Sequence, residues 1–189
     1  MYTKKIYFSG GSFHDLQAVF EELPGVVTVK TGYINPESKA VDYEAVAGGN
    51  VKAVMGVCVE YNPKKTDVSY LLDILFSVTD PYSENRQGNL IGPMFMCGVY
   101  HNTPEDLPQI QLHLNFMANR TNPPAVAGSN LTINDPVSDQ KQRRKLFVRS
   151  EEIKIFVEAE EPHQDYLKKN PSAITQIDIQ KFKNYIKIQ

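Results

Sequence analysis

Tyr7-Phe8-Ser9-Gly10-Gly11-Ser12-Phe13-His14-Asp15-Leu16-Gln17-Ala18-Val19-Phe20-Glu21-Glu22 is the stretch whose reading decides the fold. A short apolar strand runs into a glycine turn and then into an amphipathic helix, with Ile6–Phe8 as the strand and Phe13–Glu22 at helical spacing. This layout sets residue 12 at a helix N-terminus. The free N–H groups and the positive dipole end there stabilise an anion, and they would turn a thiol of pKa about 8.5 into a thiolate. The residue present is Ser12, whose hydroxyl gains little from that field. A helix N-cap, its oxygen accepting from an N–H two or three residues on, is the role serine fills there without any chemistry.

Outward from this unit, strands alternate with helices. Val26–Gly32, Val54–Tyr61, Phe95–Tyr100 and Ile153–Val157 have strand character, and Val68–Val78 and Pro104–Phe116 have helical spacing. Leu71, Leu72, Leu75 and Phe76 form an apolar stripe that reads as core. Strand-helix-strand followed by strand-helix-strand predicts an α/β fold of the α+β kind, a two-layer plait built as one domain over residues 1–189. Between Ala118 and Lys141 the chain is rich in Asn, Pro, Ser, Asp and Gly, which predicts a long surface loop and a place for partner contacts. Residues 172–189 form a tail in which Ile177 to Tyr185 is long enough to wrap the body.

Gly11, Phe13, Leu23-Pro24-Gly25-Val26 and Gly32-Tyr33 resemble the nucleophile segment of the class A peptide methionine sulfoxide reductases, whose motif reads Gly-Cys-Phe-Trp-Gly. The resemblance continues through Tyr43-Glu44-Ala45-Val46, Val57-Cys58-Val59-Glu60-Tyr61-Asn62-Pro63 and Asp80-Pro81 to Asn85-Arg86-Gln87-Gly88-Asn89. It ends on His163-Gln164-Asp165-Tyr166-Leu167-Lys168-Lys169-Asn170-Pro171. It implies a ferredoxin-like core, and it implies that residue 12 stands at the nucleophile position.

The departures from that family fall on positions that carry chemistry. Ser12 replaces the nucleophilic cysteine and His14 the indole that walls the substrate methyl group. Met55 stands where the resemblance places the acid that bonds the sulfoxide oxygen, Leu90 where it places an aspartate, and Phe95 where it places a tyrosine. Asn170-Pro171-Ser172-Ala173-Ile174-Thr175 lacks the resolving cysteine. Phe13 and Tyr43 alone keep the expected pocket chemistry. Sulfoxide reduction needs an atom that accepts oxygen and releases it to a thiol, which sulfur does through a sulfenic acid and an alcohol does not. The missing acid and phenol would each contribute on the order of 10²-fold or more in rate.

Other residues do not restore the reaction. Cys58 and Cys97 both lie in strand-like apolar runs, where a free cysteine acts as a small buried hydrophobe. Cys97 follows Phe95 by two residues, so on one strand the two would share a face. Ser12 and His14 are two apart and on a helix would not face each other, which weighs against a Ser-His hydrolase. His14 on a first helical turn is disfavoured from protonation by the dipole. His101, His113 and His163 show no metal-ligand spacing, and neither metal nor cofactor is expected.

The 41% hydrophobic and 22% charged residues are those of a globular protein. A net charge of −2 offers no footprint for nucleic acid, and Lys141-Gln142-Arg143-Arg144-Lys145 reads as a solvated face. The N-terminus has no apolar signal core, and the longest apolar run, Ala53 to Val59, is too short for a bilayer. Two non-disulfide cysteines fit a reducing compartment, so a cytoplasmic protein without membrane or nucleic-acid partners is expected.

These readings converge on a family-like protein without reductase activity. Its remodelled pocket of Phe13, His14, Tyr43, Met55, Leu90 and Phe95 would take a methionine-containing peptide or another small apolar group. Two alternatives stay open: a reductase whose cysteine at position 12 has been exchanged for serine, and an interaction protein with a collapsed cleft.

Overall fold

The computed structural model describes residues 2–119 and 145–188. The core is the split unit β1 (Lys4–Ser9), α1 (Phe13–Glu21), β2 (Val26–Ile34), β3 (Val54–Tyr61), α3 (Val68–Val78) and β6 (Cys97–His101), with α2 (Tyr43–Ala47) between β2 and β3. In the sheet these strands run in the order β6-β1-β3-β2, every neighbour antiparallel. Each βαβ half therefore straddles a strand of the other, which is the ferredoxin-like plait. β7 (Val148–Glu152) extends it parallel to β6, and β8 (Phe156–Glu158) extends it antiparallel to β2. A separate hairpin pairs β4 (Arg86–Gln87) with β5 (Leu90–Ile91).

One face of the sheet packs on α1 and α3 and holds the main core. Ile6 and Phe8 alternate towards it, Phe8 stacks on Phe20 at 4.9 Å, and Leu71, Leu72 and Leu75 are fully buried, with Phe76 packed at the margin. Burying each such side chain contributes roughly 1.5–3 kcal/mol. Among the described residues no helix is long and apolar enough to cross a membrane.

Three elements differ from the sequence reading. The strand expected over Phe95–Tyr100 begins at Cys97, because Gly92 at φ 145° and Pro93 open a 3-10 turn over Pro93–Phe95. Phe95 therefore does not share a strand with Cys97. The helix expected over Pro104–Phe116 is a 3-10 turn, Pro104–Asp106, followed by α4 (Leu107–Asn119), since Pro104 and Pro108 sit where only first-turn geometry tolerates them. The strand expected over Ile153–Val157 holds only the start of β8, Phe156 and Val157, since β7 ends at Glu152. Residues 153–155 cross the back face of the sheet, where the His101 carbonyl accepts from the Ile153 N–H and the Asn35 Oδ1 accepts from Lys154 and Ile155.

The expected loop between Ala118 and Lys141 lies, beyond residue 119, outside the described residues, as does most of the basic cluster at 141–145. The tail continues through α5 (Tyr166–Lys169) to α6 (Ile179–Ile188), which lies on α1 with Phe182 buried and Lys183 paired to Glu22 at 2.8 Å.

Candidate functional site

Gly10 and Gly11, at φ 156° and 79°, make the turn out of β1, and the Gly11 N–H donates to the Phe95 carbonyl at 3.0 Å. A side chain at Gly11 would be strained and would stand 3.0 Å from Gln87 Cβ and 3.8 Å from Leu90 Cδ1. The turn delivers Ser12 to the N-cap of α1, in extended backbone, with its Oγ accepting from the Asp15 N–H at 3.4 Å. Asp15 is buried, and its carboxylate accepts from the Gln176 and Ile177 N–H groups at 2.7 and 3.1 Å. Burial pushes the Asp15 carboxyl above its ordinary range, while these backbone donors pull against it. The first turn of α1 is thus locked to the tail.

On the other side of that turn stands a cluster of rings. Phe13 is buried at its base, with ring centroids 4.8 Å from His14, 6.0 Å from Tyr33, 6.1 Å from Tyr43 and 6.0 Å from His163. His14 stacks on Tyr166 at 4.1 Å and Tyr43 on His163 at 4.3 Å. His14 Nε2 and His163 Nδ1 are 3.1 Å apart and share a hydrogen bond. Burial and then the neighbouring His163 lower the His14 pKa to about 4.

Glu160 ties the cluster down, accepting from the Tyr33 hydroxyl at 2.6 Å and the Tyr43 N–H at 2.8 Å. Burial alone would lift the Glu160 carboxyl, but these donors outweigh it and hold it below the usual carboxylate range. Burial and the Glu160 charge push the Tyr33 phenol well above its ordinary value. Gln164 completes the anchorage: its side chain accepts from the Thr31 N–H and donates to the Thr31 and Ala159 carbonyls.

The six pocket residues read from the sequence are distributed unevenly. Phe13, His14 and Tyr43 meet in one ring cluster, and Met55, opposite Tyr33 across β2 and β3, is buried in the same core. Leu90 approaches Gly11, as does the Phe95 carbonyl, while the Phe95 side chain packs against that core from its margin. A cavity of about 620 Å³ opens beside Ser12, lined by Thr79, Gln87, Gln176, Ile177 and Phe182 among others, and by none of the six.

His163, Tyr166, Tyr33 and Glu160 join this cluster without a local sequence signal that would place them there. His163 and Tyr166 lie in the His163–Pro171 segment, and nothing in the sequence says that it folds back over position 14.

The remaining chemistry-bearing groups are quiet. Cys58 and Cys97 are buried, and burial pushes their thiols up to about 11 and about 12. Among the described residues no group of three or more His, Cys, Asp or Glu could hold a metal ion.

Residues 4–189 match the family model for peptide methionine sulfoxide reductase. The peptide methionine sulfoxide reductase MsrA of Mycoplasma pneumoniae is 37% identical over 169 residues, covering 89% of this chain and 94% of that protein. That of Mycoplasma genitalium is 35% identical over 176 residues, covering 92% and 98%. Among solved structures, Mxr1 from Saccharomyces cerevisiae in reduced form superposes with a TM-score of 0.73 at 26% identity, covering 92% of this chain and 88% of that one. Methionine sulfoxide reductase A of Corynebacterium diphtheriae, at 20% identity, shares the fold with a TM-score of 0.74, covering 92% and 78%.

Proposed function

The chain belongs to the peptide methionine sulfoxide reductase family, and from that premise we propose that it is a member that does not turn over methionine sulfoxide but binds an unoxidised, methionine-like or other small apolar side chain. The observation that carries this reading is Ser12 itself. It stands at the helix N-terminus where the family motif has a thiol, and its oxygen is engaged in capping α1. The two thiols of the chain are buried and held protonated, so neither supplies a substitute nucleophile at neutral pH. Met55, Leu90 and Phe95 donate no hydrogen bond to a sulfoxide oxygen, which would be desolvated at a cost of about 1–3 kcal/mol. A thioether carries no such oxygen, and the aromatic character of Phe13, His14 and Tyr43 suits sulfur better than a polar sulfoxide.

The test follows a peptide carrying both methionine sulfoxide diastereomers by NMR, with excess dithiothreitol, beside the Ser12→Cys variant. The natural protein is expected to consume neither diastereomer. Consumption of one by the natural protein would end the proposal.

A second reading, an interaction protein with a filled cleft, is favoured by one observation: His14, Tyr43, His163 and Tyr166 stack on one another around Phe13. A titration with unoxidised methionyl peptide separates the two. Saturable shifts at Phe13 and Tyr43 support the binding pocket, and their absence supports the filled cleft.

A further inference from the structure

The face of the sheet turned away from α1 and α3 carries a second, smaller apolar cluster of Tyr7, Ile34, Val54, Cys58 and Tyr100. At the end of this face near the β1–α1 turn lies a cavity of about 390 Å³, within the range of roughly 300–1,000 Å³ typical of small-molecule sites. Ile34, Val46, Val54, Met94 and Met96 make its walls apolar. Its charged lining is Lys52, Arg149 and Glu151, a net positive set. Glu151 is already engaged, accepting from Asn35 Nδ2 at 3.2 Å with the Arg149 guanidinium 3.9 Å away. Among the described residues no carboxylate forms an ion pair with Lys52.

Tyr100 also lines this cavity and is fully buried; its hydroxyl meets that of Ser9, and the two pair with poor hydrogen-bonding geometry. Both lie over Gly98, where a Cβ would stand 2.8 Å from each oxygen. Glycine there leaves room for the phenol to run along the strand. Burial pushes that phenol up to about 12, with the Ser9 hydroxyl and the Arg149 guanidinium pulling against it, so it is a donor at neutral pH. Native interiors leave few buried hydroxyls so poorly paired, and an acceptor entering the apolar cavity beside a cation would satisfy this one better than Ser9 does.

We propose that this cavity binds a small amphipathic carboxylate, its apolar body against Val54, Met94 and Met96 and its anionic head accepting from Arg149 and the Tyr100 hydroxyl. The site is separate from the ring cluster and does not rest on the function proposed above.

The test uses octanoate as probe, titrated into the ¹⁵N-labelled full chain, with octanol and octylamine as comparators. Saturable amide shifts are expected at Val54, Met96, Gly98 and Tyr100, with both comparators at least about tenfold weaker. Arg149→Gln should weaken octanoate by about tenfold and leave octanol unchanged. Tyr100→Phe should weaken octanoate severalfold while raising the Tm of the ligand-free protein, because a poorly paired buried hydroxyl is gone. A merely structural tyrosine would not produce that opposition. Absence of saturable shifts, equal binding of octanol, or octanoate affinity untouched by both substitutions would overturn the assignment.

Discussion

His14 and His163, 149 positions apart in the chain, are joined by a hydrogen bond of 3.1 Å between Nε2 and Nδ1, with their rings within 11° of parallel. One nitrogen must donate and the other accept, so the contact cannot survive protonation of both rings. It holds the first turn of α1 against the segment that follows β8.

The folded-state pKa of His14 is lowered to about 4 from an unfolded value near 6.5. Above about pH 6.5 the ring is neutral in both states. As pH falls from there towards 4, the unfolded chain takes up a proton that the folded chain resists, so stability is full above this window and is lost across it. Discounted for the partial exposure of the ring, the loss is roughly 1–2 kcal/mol. Urea denaturation between pH 7.5 and 4 should show this slope in the natural protein and a flatter one in His14→Gln; identical profiles would refute it.

Asp15→Ala should cost about 2–3 kcal/mol, since it removes a buried carboxylate that accepts from two backbone donors. The loss should be local before it is global. Limited trypsinolysis should cut at Lys181 or Lys183 faster in the variant, and Asp15→Asn, which keeps one carbonyl acceptor, should fall between.

Gln164 makes three hydrogen bonds from a buried side chain. Gln164→Leu should cost about 3 kcal/mol by orphaning the Thr31 and Ala159 groups. The near-isosteric Gln164→Glu should cost more, because it sets a carboxylate against two carbonyl oxygens. Thermal melts at pH 7.5 rank the variants, and a milder effect for Gln164→Glu would show that volume rather than hydrogen bonding matters there.

Buried thiols held at about 11 and about 12 should be inert. Ellman's reagent at pH 7.5 is expected to react with neither Cys58 nor Cys97 in the native protein and with both in 8 M urea. Fast labelling of Cys97 without denaturant would reopen it as a redox group.

The strands and helices that follow a clear period were legible: Val54–Tyr61 and Val68–Val78 stand as read. So was the place of Ser12 at the head of α1, because glycine turns and serine caps are local chemistry. Phe95 was misplaced because a proline two residues before it makes a 3-10 turn out of apolar residues that otherwise look extended. Residues 153–157 look like one strand because a short connecting segment runs directly into β8, and periodicity cannot tell a connection from an edge strand. His163 over His14 and Gln164 on Thr31 depend on contacts across more than 130 residues, which composition and spacing do not encode.

The clamp of Asp15 on residues 176 and 177 spans 161 and 162 positions. During synthesis the Ser12 turn leaves the ribosome long before the amides that fix it exist, so its geometry is completed only after the plait has assembled. Closing so long a loop belongs late in folding. Refolding should therefore show the core signal rising first and the environment of Ser12 settling afterwards, with a chain stopped before residue 176 holding a sound sheet around an unfinished turn.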